Sequence, residues 1–404
     1  MPTKASQKLD YDLIIIGGGP SGALTAYHAL MAGLRVLIVE KEVFPRVKPC
    51  AGGLTGRVLK WLPFSVAEVI EETSDHVDVA YKYSASKRLK APATLCAFVV
   101  REKFDNLLLN KAITMGARLR NDLQLSDITE FKTHVKASFK CGASLKAKYL
   151  VGADGANSIT RKLIGEGSWL HRGYAIEGLV PKSATNKAFS MQFDIGIVDG
   201  GYGWVFPKRD HYNVGLYITS KDYSISRAAL DAYVKKRLGA DKINDVVGFS
   251  EGFGGDRYRP KNKRVLLVGD AAGFAEPFLG EGLHYAIRSG NIAGALIARA
   301  ARKNIKNIAR RYRNRIWLIR LDSWVMKKLA HKYVYPKLDE VGARMERSIE
   351  RPETSTKKRS RSLPFLKGTA AGKPFVSILL TFPFHRFWRV RKSETEIAFD
   401  KKFK

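Results

Sequence analysis

Tyr11-Asp12-Leu13-Ile14-Ile15-Ile16-Gly17-Gly18-Gly19-Pro20-Ser21-Gly22 is the stretch on which the fold turns. Residues 13–16 are a short continuous apolar run, the pattern of a strand buried on both faces of a parallel sheet. The chain then passes through four glycines, and 23–30 read as a helix ended by Gly33. A second apolar strand at 35–39 closes on Glu40 and Lys41. The spacing matches a dinucleotide-binding fingerprint. Gly17 permits the tight turn, Gly19 lets the backbone approach a pyrophosphate, and Gly22 allows close packing of helix on strand. The helix start, at Ser21, offers unpaired N–H groups and a positive dipole end to phosphates. Glu40, 18 residues after Gly22, ends the second strand where a carboxylate would accept from ribose hydroxyls. Which dinucleotide binds is left open by this stretch alone.

The rest of the chain has the means to build a large core. It has 404 residues, 45% of them hydrophobic and 27% charged, which excludes wholesale disorder. No run of 18 apolar residues is present, so a spanning helix is not expected. The N-terminal apolar run ends at once in glycines, as a first strand does and a signal peptide does not. Cys50, Cys96 and Cys141 lie far apart, giving neither metal-ligand spacing nor a disulfide framework, and fit a reducing, cytoplasmic compartment. No metal site is expected. The unusual quantity is the net charge of +32, of which residues 299–404 carry +20, with 29 Lys and Arg against 9 Asp and Glu. That excess calls for an anionic partner, nucleic acid or lipid surface.

Two later segments choose the cofactor. Residues 149–158 run as a strand into Asp154-Gly155, with Arg161 following, and 265–273 are a buried strand ending at Asp270 before small residues. Then come Glu276-Pro277, Gly280-Glu281-Gly282 and a helix from Leu283. This order resembles the glutathione-reductase-type FAD fold of the flavin hydroxylase superfamily. The resemblance implies that Asp270 holds a ribityl hydroxyl of FAD and that the helix after Gly282 points its N-terminus at the flavin pyrimidine end. A helix dipole there stabilises the negative charge of reduced flavin. Asp154 can equally be a turn-forming residue. The glycines at 200–203 and 252–255 follow no buried strand, so no second dinucleotide site is expected. NAD(P)H would bind without a Rossmann domain of its own, or a ferredoxin-like protein would supply electrons.

Pro45-Arg46-Val47-Lys48-Pro49-Cys50-Ala51-Gly52-Gly53-Leu54, Val99-Val100-Arg101, Phe104-Asp105 and Gly201-Tyr202-Gly203-Trp204-Val205-Phe206-Pro207 together resemble the geranylgeranyl reductase family. The resemblance covers residues 10–330, and the Tyr-x-Trp-x-Phe-Pro segment is its most specific element. It implies that the Cys50, Ala51, Gly53 stretch passes beside the flavin and that Arg101 contacts FAD. Arg46, Leu125, Gly280, Gly282 and Leu283 join the cofactor set. Tyr202, Trp204, Phe206 and Pro207 would line a prenyl-chain cavity. By alternation alone, the three aromatics share one strand face, which suits core or pocket. Cys50 reads either as a small buried hydrophobe or as a reactive thiol beside Arg46 and Lys48. The sequence departs from archaeal members at Asp199, where they carry Pro, and at Cys50-Ala51-Gly52-Gly53, where they carry Cys-Gly-Gly.

The expected fold is therefore α/β with an α+β substrate layer: an FAD-binding Rossmann fold, an antiparallel substrate sheet and a basic helical C-terminal region. FAD-binding parts are expected at 10–80, 101–170 and 261–300, and substrate-domain strands at 81–100 and 171–260. A basic helical region spans 301–350 and an accessory disordered tail 351–404. The implied reaction saturates C=C bonds of a geranylgeranyl or prenyl chain on a lipid, quinone or isoprenoid. Such alkenes are unactivated, so a proton must be delivered in a dry pocket. Cys50 is the first candidate donor and Tyr202 the second, with Trp204 beside them. Two alternatives stand: an FAD-dependent monooxygenase of an aromatic or polyketide, and a basic membrane-binding protein with a vestigial FAD fold. Ile305, Ile308, Tyr312, Ile316 and Ile319 recur at helical steps among arginines. They suit either a basic amphipathic helix on an anionic membrane or a cationic face packed onto the fold. No nucleic-acid motif accompanies the charge, so a peripheral membrane address is the expected role.

Overall fold

The computed structural model describes residues 9–337, apart from 220, 304 and 306, together with 340. The first sheet runs β8 (Arg118–Arg120), β2 (Val36–Val39), β1 (Tyr11–Ile16), β11 (Ser144–Gly152), β10 (Val135–Phe139), β9 (Leu125–Glu130), with β17 (Val265–Leu267) also on β11. Its β8-β2-β1-β11-β17 portion is parallel, and β9 and β10 form an antiparallel arm. Burial of residues 13–16 of β1, of β2 and of β17 explains their unbroken apolar runs. Helix α1 (Pro20–Leu30) starts with proline at its first position, where no N–H is needed. It packs against α3 (Arg101–Thr114) and, closely, against α6 (Leu283–Arg302). A Cβ on Gly290 would sit 2.4 Å from Ser21 O and one on Gly294 2.5 Å from Thr25 O, so these glycines set the spacing of α1 and α6.

The second sheet runs β16 (Asn244–Phe253), β12 (His171–Pro181), β15 (His211–Ile218), β14 (Gly201–Pro207), β13 (Met191–Ile195), β5 (His76–Tyr81), β6 (Lys87–Lys90). It is antiparallel except for the parallel pair β13–β5. β5, from His76, belongs to this layer. A three-stranded sheet of β3 (Gly53–Thr55), β7 (Cys96–Val99) and β4 (Ile70–Ser74) joins the layers. Helices α2 (Gly56–Trp61), α4 (Ile159–Leu163) and α5 (Arg227–Leu238) flank them.

The basic region begins with α7 (Ala309–Arg315) and α8 (Trp317–Lys328), continuing as a π-helical turn at Leu329–Val334. Its apolar stripe faces inward. Ile308, Tyr312, Ile316 and Ile319 are fully buried against Leu266, Leu267 and Tyr149, and Tyr312 Oη donates to Leu267 O at 3.1 Å. The reading of this stripe as a membrane-lying face is thus corrected: its apolar side chains are spent on the core, while the arginines of α7 face solvent together with Trp317 and Trp324 of α8. Among the described residues no helix is long and apolar enough to cross a membrane. The tail at 351–404 lies outside the described residues.

Candidate active site

The glycine turn is as tight as its sequence demands. Gly17 has φ +106°, and a Cβ there would lie 2.4 Å from Ala153 O; one on Gly22 would lie 1.9 Å from Gly17 O. No side chain caps α1, so its first-turn N–H groups point out uncapped beside Gly19. Glu40 is buried, with Oε2 accepting from Gly18 N at 2.7 Å and Oε1 from Glu42 N at 3.0 Å. It braces the turn and keeps lone pairs for a ribose. Lys41 is exposed, 3.5 Å from Glu42.

Two arginines converge next to this turn on one carboxylate. Asp105, fully buried on α3, binds Arg101 at 2.7 and 2.8 Å and Arg46 at 3.1 Å. The trio carries net positive charge. Arg46 Nη2 lies 3.4 Å from where a Gly19 Cβ would be, and its Nη1 is buried with no partner. Uncapped helix N–H groups, an arginine with an unspent donor and a glycine cradle fit the diphosphate of FAD.

The Cys50 loop also borders Arg101, whose guanidinium lies within hydrogen-bond reach of the Cys50 side chain. Gly52 has φ +68°, and a Cβ there would meet Val99 O at 2.1 Å. Cys50 N donates to Glu177 Oε1 at 2.8 Å, and Cys50 Sγ accepts from Gly52 N at 3.4 Å. Buried Lys208 donates to Ala51 O at 2.7 Å, and burial pulls its ammonium down to about 8. Gly53 packs against Cys96 and Phe206.

Asp154 has the turn role: Oδ1 accepts from Ser158 Oγ at 2.6 Å and Oδ2 from Thr160 N at 2.9 Å, anchoring α4 after Gly155. Asp270 follows β17 in a short turn that Arg161 holds by donating to Ala271 O at 2.9 Å. Burial raises the Asp270 carboxyl above the usual range. Gly280 has φ +66°, Gly282 precedes α6, and α6 begins at Leu283 with no side-chain cap. Leu125 stands apart, packed with Val39, Leu123 and Phe139 in the cluster under β9 and β10.

Between the Cys50–Gly53 stretch and the Gly280–Leu283 stretch opens a cavity of about 310 Å³. Tyr202, Trp204 and Phe206 of β14 line it, with Phe193, Tyr217 and Leu95. Pro207 ends the strand outside the lining. The rings interlock: Phe193 lies 5.3 Å from Tyr202 and 5.4 Å from Phe206, edge-on in both cases. Tyr202 Oη is tied to Leu279 O at 2.5 Å and Trp204 Nε1 to Asn213 Oδ1 at 2.7 Å. Their polar atoms hold the walls. No Lys or Arg is among the lining residues.

The carboxylates of this cavity escaped the sequence reading. Glu251 lines it, and its Oε2 is buried with no partner. Burial, then the charge of Asp270, pushes its carboxyl well above the usual carboxylate range. The signal was available: Phe249, Glu251 and Phe253 alternate on one face of β16, a lone acid in an apolar row. Glu281 is different. It accepts from Thr55 Oγ1 at 2.9 Å and Arg57 at 3.0 Å, and Arg57 reaches on to Asp322 of α8 at 2.8 Å. No spacing in the chain announces that link.

Comparison with known proteins agrees with the cofactor fit. An FAD binding domain model matches residues 10–190. An uncharacterized protein of Methanosarcina barkeri is 32% identical over 314 residues, 76% of this chain and 80% of the relative. The digeranylgeranylglycerophospholipid reductase 2 of Methanococcoides burtonii is 28% identical, covering 72% of this chain and 76% of its own. A geranylgeranyl bacteriochlorophyll reductase-like structure from Thermoplasma acidophilum superposes with a TM-score of 0.71 at 21% identity, over 93% of this chain and 98% of that one. The cofactor is FAD and the protein is an oxidoreductase. The chain belongs to the geranylgeranyl reductase family of FAD-dependent oxidoreductases.

Proposed function

We propose that the protein saturates C=C bonds of a geranylgeranyl or related prenyl chain carried on a lipid, quinone or isoprenoid. The observation that carries this reading is the cavity: aromatic and aliphatic walls, no lining cation, and a position between the Cys50–Gly53 and Gly280–Leu283 stretches. A long apolar chain would bury its surface there, and the relatives' names supply the substrate class. An anionic head group would stay outside, because nothing in the lining neutralises it.

The FAD, when bound and reduced, supplies hydride. The chain's own part is to hold it, exclude water and deliver a proton. Gly17, Gly19, Gly22 and Arg46 would hold the diphosphate, Glu40 the ribose and Asp270 the ribityl chain, with α6 directed at the ring. The Tyr202–Trp204–Phe206 wall keeps the alkene dry. Tyr202 has its hydroxyl committed to Leu279, so it is the weaker proton donor. Cys50 and Glu251 remain, and burial beside Asp270 favours the protonated form of Glu251. Electrons would come from NAD(P)H or a ferredoxin-like protein, and the basic surface would hold the protein peripherally on a membrane.

The test is anaerobic turnover of purified, chemically reduced protein with a geranylgeranyl lipid, read by mass spectrometry. A gain of two hydrogens per bond is expected. Incorporation of oxygen under air with no saturation would overturn the reading in favour of a monooxygenase.

A further inference from the structure

Helix α8 has two faces. On its inner face Met326 packs with Leu329 against Phe278 and Leu279. Val334 and Tyr335, just beyond it, line the cavity, and Tyr335 Oη donates to Phe278 O at 2.6 Å. Its rotation is fixed by Asp322, fully buried, which accepts from Arg57 at 2.8 Å and Tyr285 Oη at 2.9 Å. At about 100° per residue, Trp317 and Trp324 fall about 180° and 200° from Met326. They therefore share the outer face, where they are 54% and 47% exposed. Lys328 sits 6.0 Å over the Trp324 ring, and Arg310, Arg311, Arg313 and Arg315 of α7 are exposed next to them in sequence. The sole acid of these two helices is the buried Asp322.

Two outward tryptophans two turns apart are costly in water and favoured at a bilayer's headgroup level, where the ring is desolvated and the N–H still finds an acceptor. Cations with no exposed acid among them complement an anionic leaflet. The same helix backs a cavity suited to an apolar chain, so lipid contact here would shorten that chain's path out of the bilayer. We propose that the outer face of α8, with the arginines of α7, is the surface by which the protein docks on an anionic phospholipid bilayer, and that α8 lies between lipid and the Phe278–Leu279 wall of the cavity. The purpose of this docking rests on the prenyl-reductase reading; its test does not.

Full-length protein is mixed with vesicles of phosphatidylcholine, with or without phosphatidylglycerol, and bound protein is measured by sedimentation. Binding to the anionic vesicles, weakened by salt, is expected. Trp317→Ser with Trp324→Ser should lower the partition coefficient several-fold at unchanged thermal midpoint. Each of Arg311→Gln, Arg313→Gln and Arg315→Gln should lower it about fivefold. Brominated lipids should quench wild-type tryptophan fluorescence, and the Trp317→Phe/Trp324→Phe protein should lose most of that quenching. Unchanged partition and quenching in these variants would place any lipid contact elsewhere and overturn the proposal, as would preference for single-stranded nucleic acid over vesicles. Geranylgeraniol in detergent should be reduced equally by wild type and the serine variant. If neither reduces it, the reductase reading fails while the vesicle result still decides the docking.

Discussion

Glu251 places a carboxyl between Phe249 and Phe253, facing the cavity with one oxygen unpartnered. A carboxylate there would forfeit hydration with no bonded partner in return, which is why its proton is held so strongly. The sign of the consequence for stability can be worked out. The folded state keeps a proton that the unfolded chain gives up near the ordinary Glu value, so between that value and the raised one folding stability falls as pH rises. Glu251→Gln should flatten the dependence of the thermal midpoint on pH in that window. If the proton serves the reaction, the same variant should lose alkene reduction by about 10²–10⁴-fold. It should also lose the fall in rate that wild type shows as pH climbs through the raised value. Unchanged rates with a flattened stability profile would leave Glu251 a buried acid without a chemical role, and Cys50→Ala would then be the decisive comparison. Single-turnover reduction at the wild-type rate in Cys50→Ala would dismiss the thiol.

Among elements, α8 depends on a link that joins residues 265 positions apart, Arg57 to Asp322. Both side chains are fully buried, so removing Asp322 takes away one of the two carboxylates that balance Arg57, the other being Glu281. Asp322→Ala should cost about 3–5 kcal/mol in denaturant unfolding, whereas Arg57→Met with Asp322→Leu should recover part of it, because apolar replacement of a buried ion pair is often tolerated but Glu281 then loses its cation. A double variant as unstable as the single would mean that the helix is held by its apolar contacts and not by this pair. Here lies the limit of what the chain reveals by itself. The Gly17–Gly22 turn, β1, β2 and the aromatic face of β14 were legible because each is a local pattern: a period, a spacing, a turn residue. Arg57–Asp322 and Lys208–Ala51 were not, because nothing local distinguishes a cation that will be buried from one that will be solvated. The stripe from Ile305 to Ile319 shows the ambiguity from the other side: its period announced a helix with an apolar face, but not that the core would be what covers it.

At the scale of the whole molecule, the proposed flavin position draws on three stretches of chain that lie apart in sequence: the first turn with Arg46, the Arg101–Asp105 pair, and the segment from Asp270 to Leu283. A ligand bridging all three stabilises only the folded state, by about 2.7 kcal/mol at a free concentration 100 times its Kd. Removing FAD should therefore lower the thermal midpoint by several degrees, and adding it back should restore the midpoint in proportion to the logarithm of its concentration. The size of that shift reports which cations hold the diphosphate. Arg46 lies beside Gly19 with a buried, unspent Nη1, so Arg46→Ala should remove most of the FAD-dependent shift. Lys41 is exposed and already paired with Glu42, and its charge is screened, so Lys41→Ala should leave the shift nearly intact. Added salt should not reproduce the Arg46 result, because a partly buried charge-assisted bond is screened far less than an exposed pair. Equal losses in the two variants would mean that a diffuse positive field, and not a bond from Arg46, retains the cofactor. The +32 net charge would then act in the cofactor site as well as on the surface.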